Sequence, residues 1–346
     1  MSSSERIPFP FKIIPLEDED QKKIAKDFVG NPTGLASCNH WGFKLSATVT
    51  EQELEDLYNH PLDPRDVWVV TPPKCGTTWT QEMVWLIAND LDYEGAKTPI
   101  MPDRYSFIDF AALSDKEFEA KFAAAAAKEG EPPRSGPMDM ASAANRPSPR
   151  FVKSHLPFSL NNPRLLDTCK VVYVARNPKD ACVSFFHHMR LIRLHDFLGD
   201  LELFMDYFIK GQVVEAPFIE HMIEAWNLRH HPNLCFLFYE DMKKDLRAQI
   251  RKVSKFLGKD YSEEQVDKLA EHLHIDNFKK NPWVNADHMK DGKIMHTDRG
   301  SFIRKGKTGD WKNHFTPEMN EKFDKWMEEK LKGTDLTFVQ ELEKQD

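Results

Sequence analysis

The side chains best suited to chemistry in this chain gather at one turn. In VWVVTPPKCGTTWTQEMVWLI, residues 67–87, a β-branched run enters a Pro-Pro turn. It leaves through Lys74, Cys75, Gly76, Thr77 and Thr78 into a stretch with Trp79, Met83, Leu86 and Ile87 at helical spacing. The first N–H groups of a helix have no intrahelical partner, and the helix dipole adds partial positive charge there. A lysine and two hydroxyls beside them suit a phosphate. The plain alternative is an ordinary helix start capped by Thr77 or Thr78. The order differs from G-x-x-x-x-G-K-[ST], because the lysine precedes the glycine, and no G-x-G-x-x-G is present. The expected ligand is therefore a phosphorylated nucleotide held without a metal.

Four further segments carry groups of the same kind. KSHLPF, residues 153–158, places Lys153 and His155 two apart, on one face of a strand. That histidine is either structural or a base. VYVARNPKDACVSFFHH, residues 172–188, ends a strand at Arg176 and carries Ser184 two helical turns on. Arginine and serine aimed at one opening make a phosphate site, and a surface charge is the alternative. The neighbouring His187 and His188 diverge by about 100° on a helix, so one metal ion is not expected to take both. LFYEDM ends a strand at Tyr239, which either meets a base or fills the core. FIRKGKTGDWKNHFT supplies Arg304, Lys305 and Gly306, a second phosphate clamp or a solvated basic loop.

Such groups meet only if several strands end together. Strands are expected at 66–71, 150–154, 170–175 and 234–238, separated by helical stretches at 178–194, 201–210, 215–230, from 239 to about 257, and at 262–272 and 317–332. A short helix is expected at 50–59, and 283–309 reads as irregular. Strands alternating with helices predict an α/β fold, a single domain with a central parallel β-sheet flanked by helices. Ligands then bind at the carboxyl ends of the strands. Residues 1–45 read as an N-terminal extension packed on a domain of residues 46–346. An insert at 111–149 reads as helix through Ala127 and then a Pro-, Gly- and Ser-rich loop, either a solvated decoration or a substrate gate.

Composition narrows the partners. The 346 residues are 40% hydrophobic and 29% charged with a net charge of −8, which argues against a general nucleic-acid binder. Five scattered cysteines without a C-x-x-C pair fit a reducing compartment. The start, MSSSERIPFPFKI, lacks the apolar core of a signal peptide, and no apolar run reaches the roughly 18 residues that span a bilayer. A soluble cytoplasmic protein is expected, with no membrane contact.

Together the segments resemble the cytosolic sulfotransferases, which transfer sulfuryl groups from 3′-phosphoadenosine 5′-phosphosulfate (PAPS). PPKCGTTW is similar to the family's 5′-phosphosulfate loop, RNPKDACVSFFHH to its 3′-phosphate segment, RKGKTGDWKNHFT to its C-terminal signature and KSHLPF to the segment bearing its catalytic histidine. The resemblance implies that Lys74, Cys75, Gly76, Thr77, Thr78 and Trp79 hold the 5′ end, with Trp79 facing the adenine. Arg176, Ser184, Arg304, Lys305 and Gly306 would hold the 3′-phosphate, and Tyr239 would contact the adenine. His155 would take the acceptor's proton, Lys74 would neutralise the leaving oxygen, and Lys153 would add positive charge near the transferred group. No metal is implied.

The sequence departs from the family pattern in three places. Cys75 stands where serine is usual, at a helix start that favours thiolates, which predicts an oxidisable site. Leu273 and Ile275 stand where many relatives carry threonine and phenylalanine near the adenine, so those contacts are not carried over. Lys312, Thr316 and Glu321 match a short dimer motif, but Pro317 replaces its valine and removes a backbone donor. Candidates to line the acceptor pocket are Trp85, Phe107, Phe110, Phe158, Phe186, His188 and Met189. WTQEMVWLIANDLDY and the insert resemble insect members of the family, one branch of which is similar to enzymes that dehydrate retinol. The expected acceptor is a bulky lipophilic alcohol or phenol. Dehydration instead of sulfation, and a non-catalytic carrier of nucleotide and lipophile, are the competing readings.

Overall fold

Runs such as VWVV and LCFLF have no polar alternation, which suits strands covered on both faces. In the computed structural model they lie side by side; the structure describes residues 6–128, 146–291, 294–340 and 342. Near the N-terminus, β1 (Ile13–Pro15), β2 (Leu35–Cys38) and β3 (Lys44–Ser46) form an antiparallel sheet. The central sheet comprises β4 (Val67–Val70), β5 (Tyr105–Phe107), β6 (Phe151–Ser154), β7 (Lys170–Ala175) and β8 (Leu234–Phe238). Its order is β5-β6-β4-β7-β8, and every pair is parallel.

Alternate residues of each strand feed two cores. Trp68, Val70, Val152, Val171 and Tyr173 join one, while Val67, Val69, Val172 and Val174 join the other. Ile24, Phe28, Leu35 and Leu45 of the N-terminal segment enter the first of these cores. The chain runs from β4 to the edge strand β5 and back to β6, then crosses β4 to β7 and β8, so connections of opposite direction meet beside β4, where the carboxyl ends of such a sheet leave a crevice. Thr71, His155, Arg176 and Tyr239 follow directly on β4, β6, β7 and β8.

The expected strands and most expected helices are present, including Glu51–Tyr58, Pro178–Leu191, Leu201–Ile209, Phe218–Asn227, Glu263–His272 and Pro317–Leu331. The stretch from 239 to 257 is two helices, Tyr239–Lys244 and Leu246–Leu257, because the Asp245 carboxylate accepts the Ala248 N–H and starts the second. The alanine-rich stretch also breaks. Phe110–Leu113 and Lys116–Lys128 are separate helices, with the Asp115 carboxylate accepting the N–H groups of Glu117 and Phe118. The Pro/Gly/Ser-rich half of the insert, at 129–145, lies outside the described residues. Strands β1, β2, β3 and β5, of three or four residues each, and the helix Ile275–Lys280 were not expected. Runs so short carry too little periodicity to read. No helix among the described residues is long and apolar enough to cross a membrane.

At the amino ends of β4 and β6, Arg150 and Asp66 form a buried ion pair. The Arg150 side chain donates Nε–H to Asp66 at 2.8 Å, and its backbone N–H donates to the same carboxylate at 2.8 Å. Removing one partner leaves a buried charge uncompensated. Asp66→Ala should therefore lower the unfolding free energy by about 3–5 kcal/mol in urea titration. A loss below about 1 kcal/mol would show that the pair does not tie the strands together.

Candidate active site

The loop after β4 is held by its neighbours and leaves its amides open. Lys74 adopts φ +64° and Gly76 adopts φ +96°, left-handed values that cost a non-glycine residue free energy. A Cβ on Gly76 would lie 2.8 Å from Cδ2 of Tyr239, so the packing also requires glycine there. Gly76 is the N-cap of the helix Thr77–Ala88, and no side chain caps that helix. The expected cap from Thr77 or Thr78 is absent. Instead the Thr77 hydroxyl pairs with that of Thr71 at 2.7 Å. The first-turn amides of a helix capped in this way remain available to an anion.

His155 sits beside this loop with its chemistry set by hydrogen bonds. Its Nδ1 lies 2.7 Å from the Thr71 carbonyl, which can only accept, so the proton is on Nδ1 and Nε2 keeps its lone pair. The His155 backbone N–H donates to the Asp109 carboxylate at 2.8 Å. His221 donates Nε2–H to the His155 carbonyl at 3.1 Å and can accept the Tyr173 hydroxyl on Nδ1 at 2.9 Å. Burial, and then the charge of Lys153, hold the His155 imidazole well below its usual titration range, so it is neutral near pH 7. A neutral imidazole with an open Nε2 can take a proton from a hydroxyl.

Cations converge on the same crevice. The Lys74 ammonium lies 3.4 Å from Nδ1 of His188 and 4.7 Å from the Phe302 ring centroid. Burial first, then Arg176 and Lys153, lower its pKa to about 7. Arg176 donates to the carbonyls of Lys74 and Lys307 at 2.9 and 3.2 Å, and its guanidinium covers Tyr239 at 4.3 Å. Arg304 and Lys305 both pair with Asp310 at 2.8 Å. The Nε donors of Arg176 and Arg304 are buried without a partner among the described residues. Buried donors in that state and a depressed lysine mark a site built for a polyanion.

Other expected residues divide into those at the crevice and those elsewhere. The Trp79 ring meets Tyr239 edge-on at 5.6 Å and donates its N–H to the Leu273 carbonyl at 2.9 Å. Tyr239 is buried between Gly76, Trp79 and Arg176. Gly306 adopts φ +65° with Ile275 packed on it, 2.5 Å from where a Cβ would lie. Phe107 lies 5.3 Å from His155, 5.6 Å from Phe110 and 3.6 Å from the Lys153 ammonium. Ser184 and Thr78 are half-buried, and their hydroxyls make no hydrogen bond to the described residues. His187 and His188 point apart, the first to His314 and the second to Lys74 and Phe302.

Four pocket candidates pack against core residues. Trp85 lies two turns, about 12 Å, down its helix from the loop. It packs on Arg104 and Phe151. Phe158 stacks on Tyr173, Phe186 packs on Phe197 and Phe204, and Met189 is buried beside Ile24 and Phe28. The expectation of a thiolate at Cys75 is also overturned. Its side chain turns into the core, fully buried, and burial pushes its pKa up. Pro317 occupies the first position of its helix, where no backbone donor is required, and the Thr316 hydroxyl caps that helix by accepting the Met319 N–H at 3.2 Å. Residues that sequence reasoning missed are Thr71, Asp109, Tyr173, His195, Glu215, His221, Phe302 and Asp310. Thr71, Tyr173, Phe302 and Asp310 sit in segments already singled out but carried no expected role of their own, while Asp109, His195, Glu215 and His221 lie outside those segments.

Comparison with known proteins agrees with this geometry. The sulfotransferase domain family matches residues 64–335. Sulfotransferase 1C2 of Homo sapiens is 36% identical over 86% of this chain and 94% of its own length. A crystal structure of retinol dehydratase in complex with androsterone and the inactive cofactor PAP superimposes with a TM-score of 0.87 at 37% identity, covering 96% of this chain and 99% of that one. A second, in complex with retinol and PAP, gives 0.85 at 37% identity over 96% of this chain and all of that one.

The burial of Cys38, Cys75, Cys169, Cys182 and Cys235 has a direct readout. No thiol should react rapidly with a disulfide reagent in the native protein, and all five should react after unfolding. A fast native thiol that disappears in Cys75→Ser would overturn the placement of Cys75.

Proposed function

The chain belongs to the sulfotransferase family, and from that premise we propose that it moves the sulfuryl group of PAPS onto the hydroxyl of a small lipophilic alcohol or phenol. One observation carries this reading. His155, with Nδ1 bonded to Thr71 and Nε2 open, stands beside an uncapped helix start and the Lys74 ammonium. The open amides at Gly76, Thr77 and Thr78, with Lys74, would hold the 5′-phosphosulfate end. Arg176, Ser184, Arg304, Lys305 and Gly306 would hold the 3′-phosphate, and the two buried unpartnered Nε donors fit that charge. Trp79 and Tyr239 would wall the adenine.

When bound, PAPS supplies an activated sulfuryl group and a polyanion. His155 Nε2 takes the acceptor's proton as the hydroxyl attacks. Lys74 faces the negative charge that grows on the leaving oxygen, and Lys153 adds positive charge beside the transferred group. Fixed donors and cations in a site shielded from water stabilise such charge without reorganising. Phe107, Phe110 and Phe302 give the acceptor an aromatic wall, and Phe110 stands immediately before the insert, which supports a gate role for that insert. A homodimer through Lys312, Thr316 and Glu321 belongs to the same reading, since Pro317 removes no donor the helix needs. A second reading, net dehydration of a retinoid-like alcohol, is favoured by the likeness to retinol dehydratase over 96% of the chain.

Labelled PAPS with a panel of phenols, sterols and retinoids, in EDTA, tests both readings. Label should move to an acceptor, and His155→Ala should slow the transfer by about 10²–10⁴-fold. A polyene product from retinol identifies dehydration, and a sulfate ester identifies sulfation. Tight nucleotide binding with no transfer to any acceptor would leave a carrier. Donor binding should also depend on pH. Neighbouring anions raise the Lys74 pKa from its free value near 7, so binding takes up a proton above that pH. Affinity for PAP, measured calorimetrically, should fall by up to about tenfold per pH unit above neutrality. Lys74→Met should flatten the dependence, and an unchanged slope in that variant would remove Lys74 from the phosphate site.

A further inference from the structure

Between Arg176 and Ser184 the chain carries two charged residues, Lys179 and Asp180, to which the roles above give no part. Both are 2% exposed, in the first turn of the helix Pro178–Leu191. An acidic residue in a first turn is ordinarily explained by the helix dipole. The Asp180 carboxylate is engaged elsewhere. Its Oδ2 accepts the Gly309 N–H at 2.6 Å and its Oδ1 accepts the Trp311 N–H at 3.0 Å, contacts that span 129 and 131 residues of sequence. Hydrogen bonds from backbone N–H groups to a buried carboxylate are strong, and losing the acceptor leaves buried donors unsatisfied. The two bonds therefore fix the turn that donates them.

That turn belongs to the basic loop. Asp310 stands between Gly309 and Trp311, and its carboxylate gathers Arg304 and Lys305 at 2.8 Å each, with Asn313 and His314 at 3.2 Å. Gly309 adopts φ +73°, the left-handed conformation from which the one-turn helix Asp310–Asn313 starts. Lys179 secures the same segment. Its ammonium lies 4.1 Å from the Trp311 ring centroid, donates to Asn320 at 2.7 Å and pairs with Asp324 at 2.5 Å, both on the helix Pro317–Leu331. Arg176, two residues before the helix that carries Asp180, donates to the Lys307 carbonyl of this loop at 3.2 Å. One helix start thus holds two sets of cations in register.

We propose that Asp180 is a positioning residue for the 3′-phosphate clamp. It docks the 309–311 turn on the helix behind Arg176, so that Arg304 and Lys305 face the same anion as Arg176 and Ser184. The inference rests on the sulfuryl-transfer reading for the identity of that anion, but the docking itself does not. A nucleotide with a 3′-phosphate gains from the docked loop. Adenosine 5′-phosphate (AMP), which lacks that group, does not.

Calorimetric titration of the full-length protein with PAP and with AMP reads this difference. Asp180→Asn, which keeps the shape and gives up an acceptor, should weaken PAP by about tenfold or more while AMP affinity stays within about twofold. Retained AMP binding also reports that the variant is folded. In an Arg304→Gln, Lys305→Gln background the same change should narrow the preference for PAP no further. Asp180→Glu, which keeps the charge but displaces it by one bond, should give an intermediate loss, and it replaces Asp180→Asn if that variant does not fold. An equal loss for both nucleotides, an unchanged preference, or a full effect in the Arg304→Gln, Lys305→Gln background would overturn the proposal. If the unaltered protein does not prefer PAP to AMP, the PAPS reading fails. Hydrogen exchange of residues 304–311 then decides the docking, since faster exchange in Asp180→Asn supports it and unchanged exchange overturns it.

Discussion

One hydrogen bond governs the rest of the crevice, the 2.7 Å contact from Nδ1–H of His155 to the carbonyl of Thr71. It joins the residue after β6 to the residue after β4, the two strands that flank the phosphate-type loop. Because a carbonyl has no proton to give, the contact selects one imidazole tautomer and turns the other nitrogen outward. The backbone of His155 is held separately, by Asp109 on its N–H and His221 on its carbonyl. The ring and the backbone that carries it are thus held by separate partners.

Around that bond the structure concentrates positive charge on a chain whose net charge is −8. Lys74, Lys153, Arg176 and Arg304 repel one another in a setting that solvates them poorly, and the depressed pKa of Lys74 is the consequence. Asp310 offsets part of the charge through Arg304 and Lys305. A polyanion entering the crevice would relieve the same repulsion, which makes its affinity sensitive to pH and salt.

Several elements were legible because their signal is local. VWVV, KVVYVA and LCFLF announce buried strands, and PPKCGTTW shows a lysine, a glycine and two hydroxyls at a strand-to-helix turn. Family resemblance added roles to Arg176, Ser184, Tyr239 and the Arg304–Gly306 segment. Where reading failed, the missing information was spatial. Trp85 has an aromatic's usual credentials for a pocket, and only the fold shows that it packs on Arg104 and Phe151, about two helical turns from the loop. Cys75 follows a favourable position for a thiolate in sequence, yet its side chain points inward, where desolvation dominates. Pro317 lacks a donor, and the first turn of a helix does not use one.

By itself the sequence determined the fold class, the strand-to-helix loop and the identity of the family, since these rest on residues adjacent in the chain. The tertiary structure alone decided which side chains meet. Thr71, Asp109 and His221 lie between 46 and 84 residues from His155, and no periodicity links them to it. Their contacts exist because parallel strands end at one edge and bring distant loops together. Burial at that edge then sets the protonation of His155, Lys74 and Lys153, which no residue type specifies on its own.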